Sequence, residues 1–319
     1  MFDASPISQE REWDGAPITE PGLYRNVPIE RYHSDPGLFN GEFSISSTGL
    51  KAIAKRPLEY WRTSHYNPFR KEPKSTDAFE FGKAAHMLIL GEDGFAERYA
   101  LQPDTYINSK GVEAAWNYNS TSCRQWRDEM RMSGRSIISN AEIEAIREIA
   151  NSLRQKTLVQ EGILNGLIER SVFHKIGSIW VRVRPDVWPR YGGDYVDFKT
   201  AASVDDDSLS KALFETGNYI QAGLTRWIVR ELFGNDAFSS FTFVYAEKTE
   251  PFDVRIKQLD EADLELGELQ ARRAFDILER CVETGEWPGY DGHEDDVTWT
   301  RMSDFNRKRV RKQLGISDE

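Results

Sequence analysis

The segment RVRPDVWPRYGGDYVDFKT, residues 182–200, constrains the fold more than any other part of the chain. It predicts two short strands on either side of a turn at Tyr191-Gly192-Gly193. Because side chains alternate across a strand, Asp197 and Lys199 share one face of the second strand. An acid and an amine two residues apart therefore project into the same space.

The strand before this turn carries polar residues on one face as well. Trp180, Arg182, Arg184 and Asp186 share that face, and Asp186 lies beside Asp197 if the two strands pair. Two carboxylates that converge with a lysine suit phosphodiester hydrolysis, because the acids hold Mg²⁺, a hard ion that prefers oxygen ligands. The metal polarises the phosphoryl oxygen and helps to ionise the attacking water, and the lysine orients that water or offsets developing charge. An Asp-x-Lys alone is more often a surface ion pair, and the upstream Pro-Asp favours the catalytic interpretation.

The remaining hydrophobic patterns predict helices and strands in alternation. Helices are predicted from Ser46 to a stop at Pro57 and at 58–65, 76–90, 122–131, 139–156, 206–233 and 260–284. Strands are predicted at 167–175, 177–184, 194–199, 238–247 and 252–258, with the first two forming a hairpin. The helix at 76–90 is apolar nearly all round and should be buried. This order of elements predicts an α/β fold with a mixed central β-sheet flanked by helices.

Composition divides the chain into three predicted regions. Residues 1–40 contain five prolines and no sustained period, which indicates an extended N-terminal arm. Residues 41–290 form the main domain, and 291–319 form a basic C-terminal tail.

The net charge of −11 argues against a protein that coats nucleic acid indiscriminately. Two local patches, at 49–74 and 301–313, are nevertheless basic, each with a net charge of +5. Either patch could contact phosphate, and either could equally be a solvated helix face.

The two cysteines, Cys123 and Cys281, belong to no metal-binding spacing, so neither a structural zinc nor an iron–sulfur cluster is expected. No apolar run reaches the roughly 20 residues that span a bilayer, and the N-terminal residues lack the pattern of a signal peptide. We therefore expect a cytoplasmic protein without a membrane partner.

Seven segments in order resemble the PD-(D/E)xK nucleases, and more narrowly the RecE/exonuclease VIII type of recombination exonuclease. They are PGLYRNVPIERYH (21–33), SISSTGLKAIAKRPLEYW (44–61), FGKAAHMLIL (81–90), ERSVF (169–173), RPD (184–186), VDFKT (196–200) and GNYIQAG (217–223). The resemblance covers about residues 21–258 and implies a PD-(D/E)xK, restriction-endonuclease-like core.

The resemblance implies roles for individual residues. His86, on a helix with a glycine four residues before it, matches a histidine that reaches a metal. Asp186 and Asp197 match the two principal metal acids, and Lys199 matches the catalytic lysine. Glu169 matches a further strand acid near the metals.

The glutamine of the family's next helix is matched by Gln221. Related nucleases often carry a tyrosine four residues later, where this chain has Thr225, and Tyr219 or Trp227 could supply the aromatic surface instead. The region 49–74 corresponds to a part of the family that meets the DNA end. The residues assigned to DNA contact are Ser46, Thr48, Lys51, Lys55, Arg56, Arg184 and Tyr219. The hydroxyls of Ser46 and Thr48 suit a phosphate at a helix start, although a plain N-cap explains them as well.

Together these features predict a Mg²⁺-dependent exodeoxyribonuclease, with Mn²⁺ as a substitute, that degrades one strand of linear duplex DNA 5′→3′ and leaves 3′ single strands for recombination. The resemblance implies double-stranded DNA ends as substrate, a RecT-like single-strand annealing protein as partner, and a homo-oligomeric ring of three or four subunits. Two alternatives stay open: another PD-(D/E)xK DNA nuclease, either an endonuclease or an end-processing enzyme, and a DNA-end-binding module without catalysis.

Overall fold

The computed structural model describes residues 9–34, 36–71, 76–290, 297 and 299–316. Its helices are α1 (Ile29–Ser34), α2 (Ser47–Lys55), α3 (Pro57–Thr63), α4 (Asp77–Leu90), α5 (Phe95–Arg98), α6 (Thr121–Met132), α7 (Asn140–Arg154), α8 (Thr157–Gln160), α9 (Asp206–Glu215), α10 (Asn218–Phe233), α11 (Glu261–Thr284) and α12 (Asp304–Gln313). Its strands are β1 (Arg11–Glu12), β2 (Gly22–Arg25), β3 (Ser44–Ser46), β4 (Tyr99–Leu101), β5 (Thr105–Ile107), β6 (Glu113–Ala115), β7 (Ser136–Ile138), β8 (Leu167–Ile168), β9 (Ser171–Ile176), β10 (Ile179–Val183), β11 (Val187–Trp188), β12 (Asp194–Ala201), β13 (Ser240–Glu247) and β14 (Val254–Gln258).

Most described strands belong to two five-stranded mixed sheets, where the sequence predicted one central sheet. The first has the order β1-β2-β9-β10-β3, and the second has the order β14-β13-β12-β11-β8. The predicted hairpin is confirmed, because β9 and β10 are antiparallel with Ile176 opposite Ile179. In the second sheet β12 runs parallel to β13 and antiparallel to β11. The α/β class, with mixed sheets flanked by helices, is also confirmed.

The strand before the Gly-Gly turn does not continue into the site as a single strand. Strand β10 pairs with β9 and β3 in the first sheet, whereas the short β11 pairs with β12 in the second. Pro185 separates β10 from β11, and its lack of an N–H prevents a continuous ladder. Because Val187 faces Val196, one further step along this register places Asp186 opposite Asp197. The expected proximity of the two acids therefore arises through β11 and not through β10.

The predicted helix 206–233 is two helices in the structure. Helix α9 ends at Glu215 and α10 begins at Asn218. Gly217 between them has a φ of 64°, a left-handed conformation that glycine adopts without steric cost. Hydrophobic periodicity did not reveal this break, because both helices bury apolar residues.

The first forty residues were predicted as an extended arm, but their described part is folded onto the protein. It contains α1, and β2 pairs with β9. Ile18, Tyr24, Tyr32 and Phe39 are buried in one cluster with Phe173. Burial of these apolar side chains outweighs the weak local signal of a proline-rich segment.

Strand β12 separates two apolar clusters. Tyr195 packs in the cluster that contains Trp227 of α10 and Phe275 of α11, while Val196 and Phe198 pack in the cluster formed with α4 and α7. The predicted alternation of faces is therefore confirmed. Helix α4 is buried along one side only, because Leu88 remains 41% exposed.

The chain forms two compact units, Met1–Trp287 and Pro288–Glu319. The first contains both five-stranded sheets, and the second contains α12, whose described side chains are largely exposed. Parts of the predicted regions lie outside the described residues: 1–8 and 35 of the arm, 72–75 of the basic stretch including Lys74, and 291–296, 298 and 317–319 of the tail. None of the described helices combines the length and the apolar character that crossing a membrane requires.

Candidate active site

The centre of the site is the acid–amine pair on β12. Asp197 is fully buried, and its Oδ2 lies 2.6 Å from Nζ of Lys199, whose side chain is 32% exposed. The amide Nε2 of Gln221 donates to Asp197 Oδ1 at 2.7 Å. Gln221 projects from α10, so this helix orients the carboxylate from the side opposite the lysine contact. The structure brings these three sequence-predicted residues together.

The second acid joins β12 to helix α4. Oδ2 of Asp186 accepts a hydrogen bond from the Phe198 backbone N–H at 2.7 Å, and Oδ1 lies 2.8 Å from Nε2 of His86. Helix α4 approaches β12 closely where it carries Gly82, since a Cβ atom at that position would lie 3.3 Å from Oγ1 of Thr200. A glycine one turn before His86 therefore allows the histidine to reach the sheet.

Glu169 lies beside these groups and is held by Arg184. Its backbone N–H donates to the Asp186 carbonyl at 3.3 Å, and its Oε1 lies 4.0 Å from Nδ1 of His86. Arg184 forms an ion pair with the Glu169 carboxylate and also donates to the Val27 carbonyl at 2.9 Å. The Arg184 side chain is only 9% exposed. The structure thus places this residue in the interior beside the acids, and its assignment to DNA contact stays a prediction.

Glu92 also belongs to the site, although the sequence reasoning missed it. Its Oε1 lies 2.5 Å from Nδ1 of His86, on the ring edge opposite Asp186. The sequence feature that could have indicated Glu92 is its position directly after Gly91, the glycine that ends the helix carrying His86. Such a glycine turns the chain back over the last helical turn.

The electrostatics of these groups are strongly coupled. Burial alone would lower the pKa of His86, but the carboxylates of Asp186 and Glu92 outweigh it and raise the pKa well above its ordinary value. Burial, together with the charge of Asp186, raises the pKa of Asp197. Burial would lower the pKa of Lys199, but Asp197 and Asp186 raise it. The site therefore attracts positive charge strongly.

This donor set fits a divalent cation. Oδ2 of Asp197 and Oε2 of Glu169 are buried. Among the described residues, these oxygens form ion pairs with Lys199 and Arg184 but accept no well-aligned hydrogen bond. The carboxylates of Glu169, Asp186 and Asp197 and the imidazole of His86 form an oxygen-rich set that suits Mg²⁺ or Mn²⁺. Ligand atoms of His86, Glu92 and Glu169 also lie within 4.8 Å of one another. Both ring edges of His86 thus face potential ligand oxygens.

The structure directs Lys51 toward the site. Its Nζ lies 3.3 Å from Oε1 of Gln221 and 3.3 Å from Oδ1 of Asn218. Burial, followed by the charge of Lys199, lowers the pKa of Lys51 to about 7. This lysine of α2 is therefore connected through Gln221 to Asp197.

The other predicted DNA contacts lie around α2. Ser46 occupies the N-cap position of α2 without a side-chain capping bond, and Thr48 is exposed. Lys55 and Arg56 contact Glu59, with shortest N–O distances of 3.1 and 3.6 Å. One acid thus offsets part of the charge of the basic stretch.

The aromatic residues proposed in place of the missing tyrosine do not contact the acids. Trp227 packs against Phe275 with 5.7 Å between ring centroids, and Tyr219 stacks on Phe214 at 6.4 Å. Thr225 is buried and donates from Oγ1 to the Gln221 carbonyl at 2.9 Å. This hydroxyl therefore stays within the helix.

Solved structures with a similar fold include several exonucleases. The chain has a TM-score of 0.54 to a candidate exonuclease from Eubacterium rectale, with 16% identity over 88% of this chain and 98% of that one. A phage related exonuclease from Haemophilus somnus 129PT has a TM-score of 0.29 and 11% identity, over 77% of this chain and 97% of that one. An alkaline exonuclease from Laribacter hongkongensis has a TM-score of 0.23 and 13% identity, over 53% of this chain and 85% of that one. At these identities the first similarity shows the fold alone, and the two lower scores add no support.

No curated protein sequence matches the chain. Its residues 46–298 match the family described as the PDDEXK-like domain of unknown function DUF3799, and this range contains all the site residues described above. The chain therefore belongs to this PD-(D/E)xK family and has a nuclease fold.

Proposed function

We propose that the protein is a divalent-metal-dependent exodeoxyribonuclease that degrades one strand of linear double-stranded DNA from its end. The observation that carries this proposal is the pairing of Val187 with Val196, whose register brings Asp186 next to Asp197, together with Lys199 2.6 Å from Asp197. These are the residues that metal-assisted hydrolysis of a phosphodiester requires.

His86, Glu169, Asp186 and Asp197 would hold the cation. When bound, Mg²⁺ or Mn²⁺ polarises the phosphoryl oxygen and lowers the pKa of the attacking water. Lys199 shares the face of Asp197 and supplies a fixed positive charge for the oxyanion that develops on the phosphate.

The neighbouring residues hold this set in place. Gln221 orients Asp197 through the bond to Oδ1, and Arg184 fixes the Glu169 carboxylate. The backbone N–H of Phe198 fixes Asp186. Charge-assisted hydrogen bonds of this kind limit the motion of the acids before substrate binds.

We further propose 5′→3′ polarity with 3′ single-stranded products, a ring of three or four subunits and a single-strand annealing protein as partner. These finer assignments rest on the RecE-type resemblance of the seven sequence segments. The protein would serve DNA recombination, and a phage-type setting is consistent with the resemblance.

Digestion of duplexes labelled separately at each 5′ and each 3′ end tests the proposal, with Mg²⁺, Mn²⁺ and EDTA compared. We expect metal-dependent loss of the 5′ labels first and no cleavage of covalently closed circles. Cleavage of the circles would instead favour an endonuclease. Binding to ends without any release of nucleotides in either metal would favour an end-binding module.

A further inference from the structure

The turn after α4 places a carboxylate on the far edge of the His86 ring. Gly91 has a φ of 72°, and the Glu92 backbone N–H donates to the Met87 carbonyl at 2.9 Å. This is the pattern of a helix end closed by a left-handed glycine, in which the next residue folds back over the last turn. The Glu92 side chain is 12% exposed and is directed to the histidine rather than to solvent.

The two ring nitrogens of His86 have different partners. Nδ1 lies 2.5 Å from Oε1 of Glu92, and Nε2 lies 2.8 Å from Oδ1 of Asp186. An ionised carboxylate only accepts hydrogen bonds, so a proton on Nδ1 satisfies Glu92. In a neutral imidazole with its proton on Nδ1, the lone pair is on Nε2, beside Asp186.

We propose that Glu92 is a positioning residue of the metal site: its carboxylate accepts the Nδ1 proton of His86 and thereby presents Nε2, next to Asp186, as the ligand nitrogen for a divalent cation. This inference rests on the proposed function. A carboxylate that holds the second nitrogen of a histidine ligand fixes both its tautomer and its ring orientation.

The distances favour positioning over direct ligation by Glu92. Neighbouring ligands of an octahedral Mg²⁺, each at 2.0–2.1 Å, are about 3 Å apart. The 2.8 Å between His86 Nε2 and Asp186 Oδ1 is close to that spacing. His86 Nδ1 and Glu92 Oε1 are closer together than two such ligands, and they face each other as hydrogen-bond partners.

Three variants of the full chain test the proposal: Glu92→Ala, Glu92→Gln and, as a matched control, Asp93→Asn. Asp93 is the next residue and is exposed, so its variant removes one negative charge from the same turn and leaves the Glu92–His86 contact in place. Mn²⁺ affinity is measured from the free ion in electron paramagnetic resonance titrations. We expect Glu92→Ala to weaken Mn²⁺ binding at least about tenfold, which is typical of losing an outer-shell partner. Glu92→Gln should weaken it less, because its amide oxygen still accepts from Nδ1, and Asp93→Asn should bind like wild type.

Nuclear magnetic resonance of protein with ¹⁵N-labelled histidine gives a second measurement that a merely structural role would not change. The chain has five histidines, so the spectrum is tractable. With Mg²⁺ added, His86 should carry its proton on Nδ1 in wild type and in Glu92→Gln. In Glu92→Ala the strongly shifted signal of a hydrogen-bonded Nδ1 proton should be lost.

Three outcomes would overturn the inference. One is a Glu92→Ala variant that binds Mn²⁺ as wild type does and keeps the same histidine signals. Another is the loss of one complete Mn²⁺ equivalent in both variants with the remaining affinity unchanged, which would make Glu92 a direct ligand. In both cases wild type still binds Mn²⁺ and cuts DNA, so the proposed function stands. A wild-type protein that neither binds Mn²⁺ nor releases nucleotides would overturn both proposals.

Discussion

Asp197 and Lys199 depend on each other in the folded protein. The carboxylate is fully buried, and the ammonium 2.6 Å away is its nearest positive charge. A buried carboxylate without a compensating cation would be costly, so the pair also contributes to a defined geometry of the site.

The first prediction concerns this pair. Asp197→Asn and Lys199→Ala should each reduce the rate of nucleotide release by about 1,000-fold, which corresponds to roughly 4 kcal/mol of transition-state stabilisation. Release rates on a linear duplex, with circular dichroism melting as a check of folding, measure the effect. Asp194→Asn is the matched control on the same strand, because Asp194 is exposed and accepts from Ser240 Oγ at 2.6 Å. A folded variant that keeps more than about a tenth of the wild-type rate would reject the assignment.

The second prediction concerns Lys51, whose pKa falls from the ordinary 10.5 to about 7 on burial. Below pH 7 the Lys51 amine is protonated in both the folded and the unfolded chain, so the full cost of burying its charge lowers the free energy of unfolding. Between the two pKa values the unfolded chain alone holds the proton, so the contribution of Lys51 to the free energy of unfolding rises with pH. The stability of wild type relative to Lys51→Met should therefore increase from about pH 7 upward.

Urea unfolding of the metal-free proteins at several pH values measures this difference. Lys55→Met serves as the control on the same helix, because Lys55 is exposed. We expect the control to show no such increase. If the difference in free energy of unfolding between wild type and Lys51→Met stays constant or falls with pH, the Lys51 amine keeps its proton in the folded state.

At the scale of elements, α2 and α3 form a surface whose charge is partly compensated. Lys55 and Arg56 at the end of α2 contact Glu59 at the beginning of α3. Such exposed ion pairs contribute little to stability, so the cations can exchange Glu59 for a phosphate at low cost.

The third prediction follows from this arrangement. In a Lys199→Ala background, replacing Lys55 and Arg56 by Ala should flatten the slope of log affinity against log salt on duplex DNA by up to about 1.8, at roughly 0.9 for each lost phosphate contact. Glu59→Gln is the matched variant with the opposite expectation, since it removes the negative charge that both cations contact and should tighten binding. Fluorescence anisotropy over a salt series measures both. An unchanged slope in the double variant would place the DNA path elsewhere.

At the scale of the whole molecule, charge is distributed unevenly along an acidic chain. The second unit contains α12, an exposed helix with five basic residues within its ten positions. A basic surface of this kind attracts an anionic polymer such as DNA, and it can also contact another subunit.

The fourth prediction assigns α12 to DNA. The test is a triple variant of the full chain with Arg307, Lys308 and Arg309 replaced by Ala. We expect the slope of log affinity for duplex DNA against log salt to fall by up to about 2.7. The mass from light scattering should remain three or four times 36.7 kDa, as a ring implies. A triple variant on α6, with Arg124, Arg127 and Arg131 replaced by Ala, is the control and should leave the slope unchanged. A fall in mass with an unchanged slope would make α12 a subunit contact instead.

The shared face of Asp197 and Lys199 could be predicted from local pattern. The two-residue period of a strand places Asp197 and Lys199 on one face in any fold that keeps 194–201 extended. Hydrophobic period and capping residues likewise predicted α4, α7 and α11 close to their observed bounds. These features depend on residues near one another in the chain, where steric and hydrogen-bonding preferences act directly.

Tertiary structure decided which distant groups meet. Periodicity cannot specify that β12 pairs with β11 and not β10, because pairing depends on long-range burial and on the break at Pro185. Nor can it show that Lys51 contacts Gln221, or that Arg184 is buried against Glu169. The sequence by itself determined the residue types and the strand face of the site. Only the folded chain decided their burial, their partners and the position of Glu92 on His86, because those contacts join segments that no local preference brings together.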